Sequence, residues 1–369
     1  MTLICSACRR ENRHGAAFCD GCGGSLSAAA PPPSGAQLVS GDRAFVGRGE
    51  ELAKLANDLD AALDGNGRVA MVAGEPGIGK TRIAHRIAAE AKVRGTLVLW
   101  GRCKEEPGAP PYWPWLQAID AFALEHDDAA LRTALGRTGA HIAAIVETLA
   151  DRLPDLPAVS RASDPDQARF QLFDALTSFW KRVAGISGLL LVLDNLHTTD
   201  AASLRFLEFL ASEISSDRIM VLGTYRDIEL TRQHPLSNTL GELARHPWVN
   251  RLRLTGLSLP EATELVKSVA GREPPRDLVQ VVFGQTEGNP LFLQEITRYL
   301  AHEGVIGADR SAAGGSIALR RIPEGIREVI GTRLNRLSRT CNQVLSGAAV
   351  IGRAFRLDLL TRLDERLSS

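Results

Sequence analysis

The stretch "GEPGIGKT" at 74–81 has the residue types and spacing that hold a phosphate. Gly74, Gly77 and Gly79 can turn backbone N–H groups inward around an anion, because glycine alone enters the required conformations freely. Lys80 is placed to reach the β- and γ-phosphates of a nucleotide, and the Thr81 hydroxyl to ligate Mg²⁺. Ile78 and Arg82 complete the stretch expected to line the nucleotide. GxxxxGK[ST] does not by itself separate kinases, GTPases and ATPases. The guanine-reading NKxD pattern is absent from the sequence, which favours ATP.

A second acid-bearing stretch lies more than a hundred residues on, "GLLLVLDNLHTTD" at 188–200. An apolar run ending in Asp194 reads as a buried strand whose C-terminal tip faces the ligand crevice of an α/β sheet. Asp194 is expected to hold Mg²⁺, although a strand-end aspartate also serves as a cap for the next helix. Asn195 follows it. An amide can orient a water but cannot take its proton, so Asn195 points to slow hydrolysis unless Asp200 or an acid from a partner acts as the base. "DRIMVLGTYRD" at 217–227 reads as a further strand. If it lies beside the Asp194 strand, Arg226 approaches the γ-phosphate; otherwise it is a surface arginine.

A separate chemistry sits at the front of the chain. Cys5, Cys8, Cys19 and Cys22 form two CxxC pairs in "CSACRRENRHGAAFCDGC". Two such knuckles complete a tetrahedron of thiolates around Zn²⁺; a redox dithiol is the alternative. So short a segment must take most of its folding energy from the metal. Arg9, Arg10 and Arg13 barely outnumber the nearby acids, and Phe18 is the one aromatic available for stacking. The reading is a structural or protein-contact module, with nucleic-acid binding as the alternative.

These groups need elements to position them. "EELAKLANDLDAAL" carries Leu52, Leu55, Leu59 and Leu63 at helical spacing. "RVAMVAG" is a short buried strand, and "RIAHRIAAEAK" is helical. Strand, glycine loop and helix is the context the phosphate motif requires. "TLVLWGRC" (96–103) and "NRLRLTGLS" (250–258) read as further strands, so strands alternate with helices and imply a parallel sheet. After them, Ser258 and Glu261 make a capping-box pattern. Pro290, in "TEGNPLFLQEI", suits the first turn of a helix. These helices would form a lid. "SAAAPPPSGAQLVSGD" reads as a linker.

The chain has 369 residues, 44% hydrophobic and 23% charged, with a formal net charge of zero. Such a length predicts two or three domains, and the neutral balance argues against a general nucleic-acid coat. No apolar run reaches the roughly 18 residues of a membrane span, and the N-terminus lacks a secretory signal. A cytoplasmic location is expected, where paired cysteines suggest metal more than disulfides.

The order of the motifs resembles the STAND branch of the AAA+ ATPases, in the form found in bacterial cyclases and large LuxR-type regulators. The stretches that carry the likeness are "FVGRGEELAKL", "GEPGIGKTR", "PPYWPWLQAI", "LLLVLDNLHTTDAASL", "MVLGTYRD", "LRLTGLSLPEATELV", "TEGNPLFLQEI" and "IPEGIREVIGTRLNRLS", from about 44 to 355. The front segment resembles the short zinc ribbon of bacterial signalling proteins. The resemblance implies a three-layer α/β/α parallel sheet as an AAA+ core, a helical lid, a small zinc ribbon and a partial winged helix. Val46 and Arg48 would lie near the adenine, Pro290 would cover the base, and Arg226 would sense the γ-phosphate. It further implies a slow ATP/ADP switch in signalling or transcription control, with Mg²⁺ and Zn²⁺ bound, a protein partner or downstream effector, and homo-oligomerisation on activation. Where relatives often have "DDLHWAD" this chain has "DNLHTTD". The expected organisation is ribbon 1–26, linker 27–43, ATPase core 44–257, lid 258–318 and winged-helix segment 319–369. Arginines 320, 321, 327, 333, 336 and 339 make that last segment basic. In the family it packs on the ATPase, so direct nucleic-acid binding is not expected, although a DNA-binding ATPase of the origin-recognition kind is the competing reading. The output module is expected to be absent, truncated or supplied in trans, and an inactive fragment is a third reading.

Overall fold

In the computed structural model of the protein the described residues are 45–103, 109–157, 164–227, 229–231, 233–302, 306, 334 and 339–351, together with two short strands near the N-terminus. Those strands, β1 (Leu3–Ile4) and β2 (Glu11–Asn12), pair antiparallel, with Ile4 opposite Glu11. The four cysteines expected to hold zinc lie outside the described residues, as does most of 319–369.

Five parallel strands form the main sheet: β3 (Arg68–Gly74), β4 (Leu97–Arg102), β5 (Leu189–Asp194), β6 (Ile219–Tyr225) and β7 (Val249–Leu254). Their spatial order is β4-β5-β6-β3-β7. All five were legible in the sequence: β3 with the bounds it has here, β4, β5 and β6 a residue or more wider, and β7 begun one residue late and carried past its end. The phosphate-loop strand is thus flanked by β6 and β7, and the Asp194 strand is separated from it by β6. Strands buried on both faces carry nearly continuous apolar side chains, and β5 and β6 are buried along their whole length.

The side chains alternate between two apolar layers. Ala70, Val72, Leu190, Val192, Met220 and Leu222 face α1 (Gly49–Leu63) and α2 (Lys80–Val93). Of the leucines read as one helical face, Leu55 and Leu59 are buried, and Leu52 and Leu63 pack at the margin. Val69, Met71, Leu191, Leu193 and Val221 face the other way, onto the helices that follow β4 to β6. These are α3 (Trp113–Glu125), α4 (Asp128–Leu135), α5 (Gly139–Ala143), α6 (Glu147–Arg152), α7 (Pro165–Ser187), α8 (Ala201–Glu213) and α9 (Pro235–Leu243). The result is a three-layer α/β/α sandwich. Helices α4 to α7 were not assigned from the sequence. They form a helical block on the second layer, where Trp115, Phe122, Phe179 and Trp180 are fully buried. Among the described residues no helix is long and apolar enough to cross a membrane.

After β7 come α10 (Leu259–Ala270), α11 (Arg276–Thr286) and α12 (Pro290–His302). They share a third apolar cluster of their own, built on Leu265, Val282, Leu293 and Ile296. These helices occupy the stretch the sequence reading assigned to a lid, and Ser258 and Glu261 form the capping box at its start. A last helix, α13 (Arg339–Ile351), is the described part of the segment read as a winged helix.

Candidate nucleotide site

The phosphate loop connects β3 to α2, as its glycines require. Gly74, Gly77 and Gly79 have φ of 150°, 81° and 107°. Gly77 is also needed for space, since a Cβ there would lie 2.8 Å from the Leu291 side chain. Gly79 is the N-cap of α2, and neither a side-chain cap nor an acid in the first turn serves that helix start. The positive end of α2 is therefore left for an anion, the arrangement that binds phosphates.

Lys80 is 7% exposed and donates from Nζ to the carbonyls of Gly74 and Glu75, both at 2.8 Å. Burial lowers its pKa to about 8; the positive charge of Arg226 adds to this, and Asp194, Asp227 and Glu229 oppose it. A buried ammonium held only by carbonyl oxygens is short of negative charge, which suits an incoming phosphate.

Thr81 donates its hydroxyl to Asp194, 3.0 Å from Oδ1 and 3.1 Å from Oδ2. Asp194 stands at the tip of β5 and is buried. It also accepts from the hydroxyl of Thr224, on the neighbouring tip of β6. A carboxylate and two hydroxyls form a hard oxygen set that fits Mg²⁺, and Thr81 and Asp194 would hold the ion. Thr224 was not singled out in the sequence; a hydroxyl near the tip of an apolar strand was the available signal.

Asn195 begins the 3₁₀ turn Leu196–Thr198 with φ 64°. Its N–H donates to Thr224 Oγ1 at 3.1 Å, and its carbonyl accepts from Thr198 Oγ1 at 2.9 Å. Asp200, the alternative base, caps α8: its carboxylate accepts from the N–H of Ser203 at 2.8 Å and from the Ser203 hydroxyl. It serves the helix start, not the phosphate loop.

β6 does lie beside β5, with Leu193 opposite Gly223. Arg226, one residue past the strand, pairs with Glu229 at 2.7 Å. Glu229 in turn approaches His197 Nε2 at 3.6 Å. Neither Glu229 nor His197 was marked in the sequence. Their partners come from different strand tips, and no local spacing announces that.

The residues linked by resemblance to the adenine sit where loop and lid meet. Val46 is packed into the lid cluster. Arg48, with φ 67°, is buried. Its N–H donates to Glu261 at 3.0 Å, and its guanidinium reaches Glu51 at 3.0 Å, the Ile78 carbonyl at 3.2 Å and the Thr255 carbonyl at 2.5 Å. Arg82 lies over the Phe45 ring, 5.8 Å from its centroid. Pro290 opens α12, as expected. The adjoining residues fasten the lid to the loop: Asn289 donates to the Pro76 carbonyl at 3.1 Å and the Leu291 N–H to the Gly77 carbonyl at 3.3 Å. A cavity of about 320 Å³ opens between these parts, bordered by Glu75, Ile78, Asp227, Thr255, Asn289 and Phe292. Among the described residues no cluster of histidine, cysteine or acid side chains could hold a further metal ion.

Residues 44–222 match the family model described as AAA ATPase domain. No curated protein matches the chain. Among solved structures, the chain is similar to a signal transduction ATPase with numerous domains (STAND) protein with a tetratricopeptide repeat sensor from Pyrococcus horikoshii. The two are 15% identical with a TM-score of 0.41, and the likeness covers 86% of this chain and 36% of that one. The chain thus spans about a third of that protein's length. Two RuvB variants from Thermotoga maritima are similar at 17% and 18% identity, with TM-scores of 0.40 and 0.41, over 86% of this chain and 82% of theirs. These overlaps are too loose to bear on function. The family match and the loop geometry together support an AAA-type P-loop ATPase domain over residues 44–222.

Proposed function

We propose that the protein is an ATP-binding switch that holds ATP far better than it hydrolyses it. The observation that carries this is the pre-assembled trio at the loop: Lys80 inside the phosphate cradle, and Thr81 hydrogen-bonded to Asp194. These groups supply phosphate and Mg²⁺ contacts without rearrangement of the sheet. Hydrolysis is slow because Asn195, the residue after the Mg²⁺ aspartate, cannot accept a proton. Val46, Arg48, Ile78 and Pro290 contact the base, Arg82 contributes beside the phosphates, and Arg226 reads the γ-phosphate. The lid rests on the loop through Asn289 and Leu291, so nucleotide state and lid position are coupled.

The front segment binds one Zn²⁺ through Cys5, Cys8, Cys19 and Cys22. The pairing of Ile4 with Glu11 supports this, because it folds the chain back on either side of the first CxxC. The role is signalling or transcription control, exerted on a protein partner or downstream effector, with homo-oligomerisation on activation. Calorimetric titration of the protein with ATP in the presence of Mg²⁺ tests the reading. Saturable binding lost in Lys80→Ala supports it, and equal affinity in both refutes it.

A further inference from the structure

Asn195 leaves the site without a proton acceptor at the position where one is expected, yet an acid stands against the same turn from the neighbouring strand. Glu229 lies three residues beyond Arg226 on the segment after β6. Its Oε1 is 2.7 Å from Arg226 Nη1, and its Oε2 is 3.6 Å from Nε2 of His197, two residues past Asn195. β5 and β6 are adjacent in the sheet, so both segments leave the same edge of the phosphate site. The Glu229 side chain is 36% exposed, which lets water reach the carboxylate.

Two of the other acids nearby, Asp194 and Asp200, are committed elsewhere, and Asp227 is the competing acid, with its Oδ1 buried and without a hydrogen bond among the described residues. Asp194 accepts from Thr81 and Thr224. Asp200 caps α8 through Ser203. Asp227 gives only Oδ2 to Arg253 Nε, at 2.8 Å on the β7 side of the loop, and borders the cavity there.

We infer that Glu229 takes the proton of the attacking water, replacing the acid that Asn195 lacks. This rests on the reading of the site as an ATPase. In the step, the water oxygen bonds to the γ-phosphorus and the water proton passes to a Glu229 oxygen. The bond from the γ-phosphorus to the bridging oxygen breaks, and its electron pair leaves on ADP. Among the described residues, the charged and titratable groups facing Glu229 include Arg226 on its own segment and His197 on the turn after β5, with Lys80 within electrostatic reach from α2. The pairing with Arg226 also accounts for slowness. While the guanidinium holds Glu229 the carboxylate is engaged, and movement of Arg226 onto a γ-phosphate releases it.

The test is single-turnover hydrolysis by the full chain, with ATP affinity measured beside it. Glu229→Gln is expected to bind ATP within about threefold of wild type and to lose about 10²-fold or more in rate, the usual contribution of a general base. Glu229→Ala is expected to regain rate as formate is added, because a free carboxylate can occupy the gap; Arg226→Ala is expected to show no such response. Where the amide impairs folding, Glu229→Asp is read instead, with a loss of about tenfold for the shorter reach. A Gln or Asp variant as fast as wild type overturns the inference, as does a wild type that binds ATP and never hydrolyses it. Asp227→Asn is measured beside the Glu229 variants, and a rate loss in Asp227→Asn alone would overturn the assignment. A lost rate with no response to formate also overturns it, assigning Glu229 to the positioning of Arg226. Failure of wild type to bind ATP at all would instead remove the nucleotide reading itself.

Discussion

The hydroxyl of Thr81 donates to the carboxylate of Asp194 across 113 residues of sequence, at 3.0 Å. This contact joins the first turn of α2 to the tip of β5, two strands away in the sheet. It defines where a divalent ion would sit between a phosphate and the protein. Asp194→Asn keeps the shape and removes the charge. The expected outcome is that Mg²⁺ no longer strengthens ATP binding, while binding without Mg²⁺ changes by less than about threefold. Titration with and without Mg²⁺ measures it, and an unchanged Mg²⁺ effect would place the ion elsewhere.

Lys80→Ala is expected to weaken ATP binding about tenfold or more, roughly 1.4 kcal/mol, through loss of a charge-assisted contact. The lysine's pKa of about 8 adds a pH signature. A phosphate contacts the protonated form, so affinity is full below about 8 and falls as pH rises through it, by up to about tenfold per unit until the bound-state pKa is reached. Isotherms from pH 7 to 9.5 should show this in wild type and not in Lys80→Ala.

Asn195→Asp places a carboxylate directly after the Mg²⁺ aspartate. The single-turnover rate is expected to rise, by about tenfold or more, since general bases contribute roughly 10² to 10⁴-fold when well aligned. The backbone there has φ 64°, which aspartate tolerates nearly as well as asparagine. A brisk wild type that the substitution leaves unchanged would refute the slow-switch reading.

Glu261 bonds both the N–H of Ser258 at its own helix start and the N–H of Arg48 at the core. Glu261→Ala removes both bonds. The expected cost is about 1–2 kcal/mol from the lost cap and clamp. Hydrogen exchange should rise across 258–302 and not across β5 and β6; a uniform change over the whole protein would mean that the lid is not separately clamped.

One Zn²⁺ per chain is expected, because four thiolates complete one tetrahedron. Elemental analysis of purified protein measures it. Full zinc content in the Cys5→Ser/Cys19→Ser double variant would sink the assignment.

The phosphate loop, Asp194 and all five strands of the main sheet were legible from local pattern. Glycine spacing, apolar runs and strand–loop–helix order are short-range properties, and the backbone conformation of Gly77 and Gly79 follows from residue type. The sheet meets the condition set for Arg226, that β6 lie beside β5, but its guanidinium pairs with Glu229, a contact the sequence did not announce. The helices at 128–187 were not read, although α4 buries Leu131, Ala134 and Leu135 at helical spacing; the short α5 and α6 offer too few turns for a pattern to repeat.

What the sequence determined by itself was the chemistry available: a phosphate cradle, a strand-tip carboxylate, and an amide where a base is expected. Tertiary structure alone decided which groups meet. Arg48 became a clamp between loop, β7 and lid because the chain returns to it from 207 and 213 residues away. Glu229 and His197 face each other only because the parallel sheet sets the tips of β5 and β6 side by side. Such pairings depend on strand order, and strand order is chosen by which apolar faces bury one another across the whole core, a non-local property that no window of residues carries.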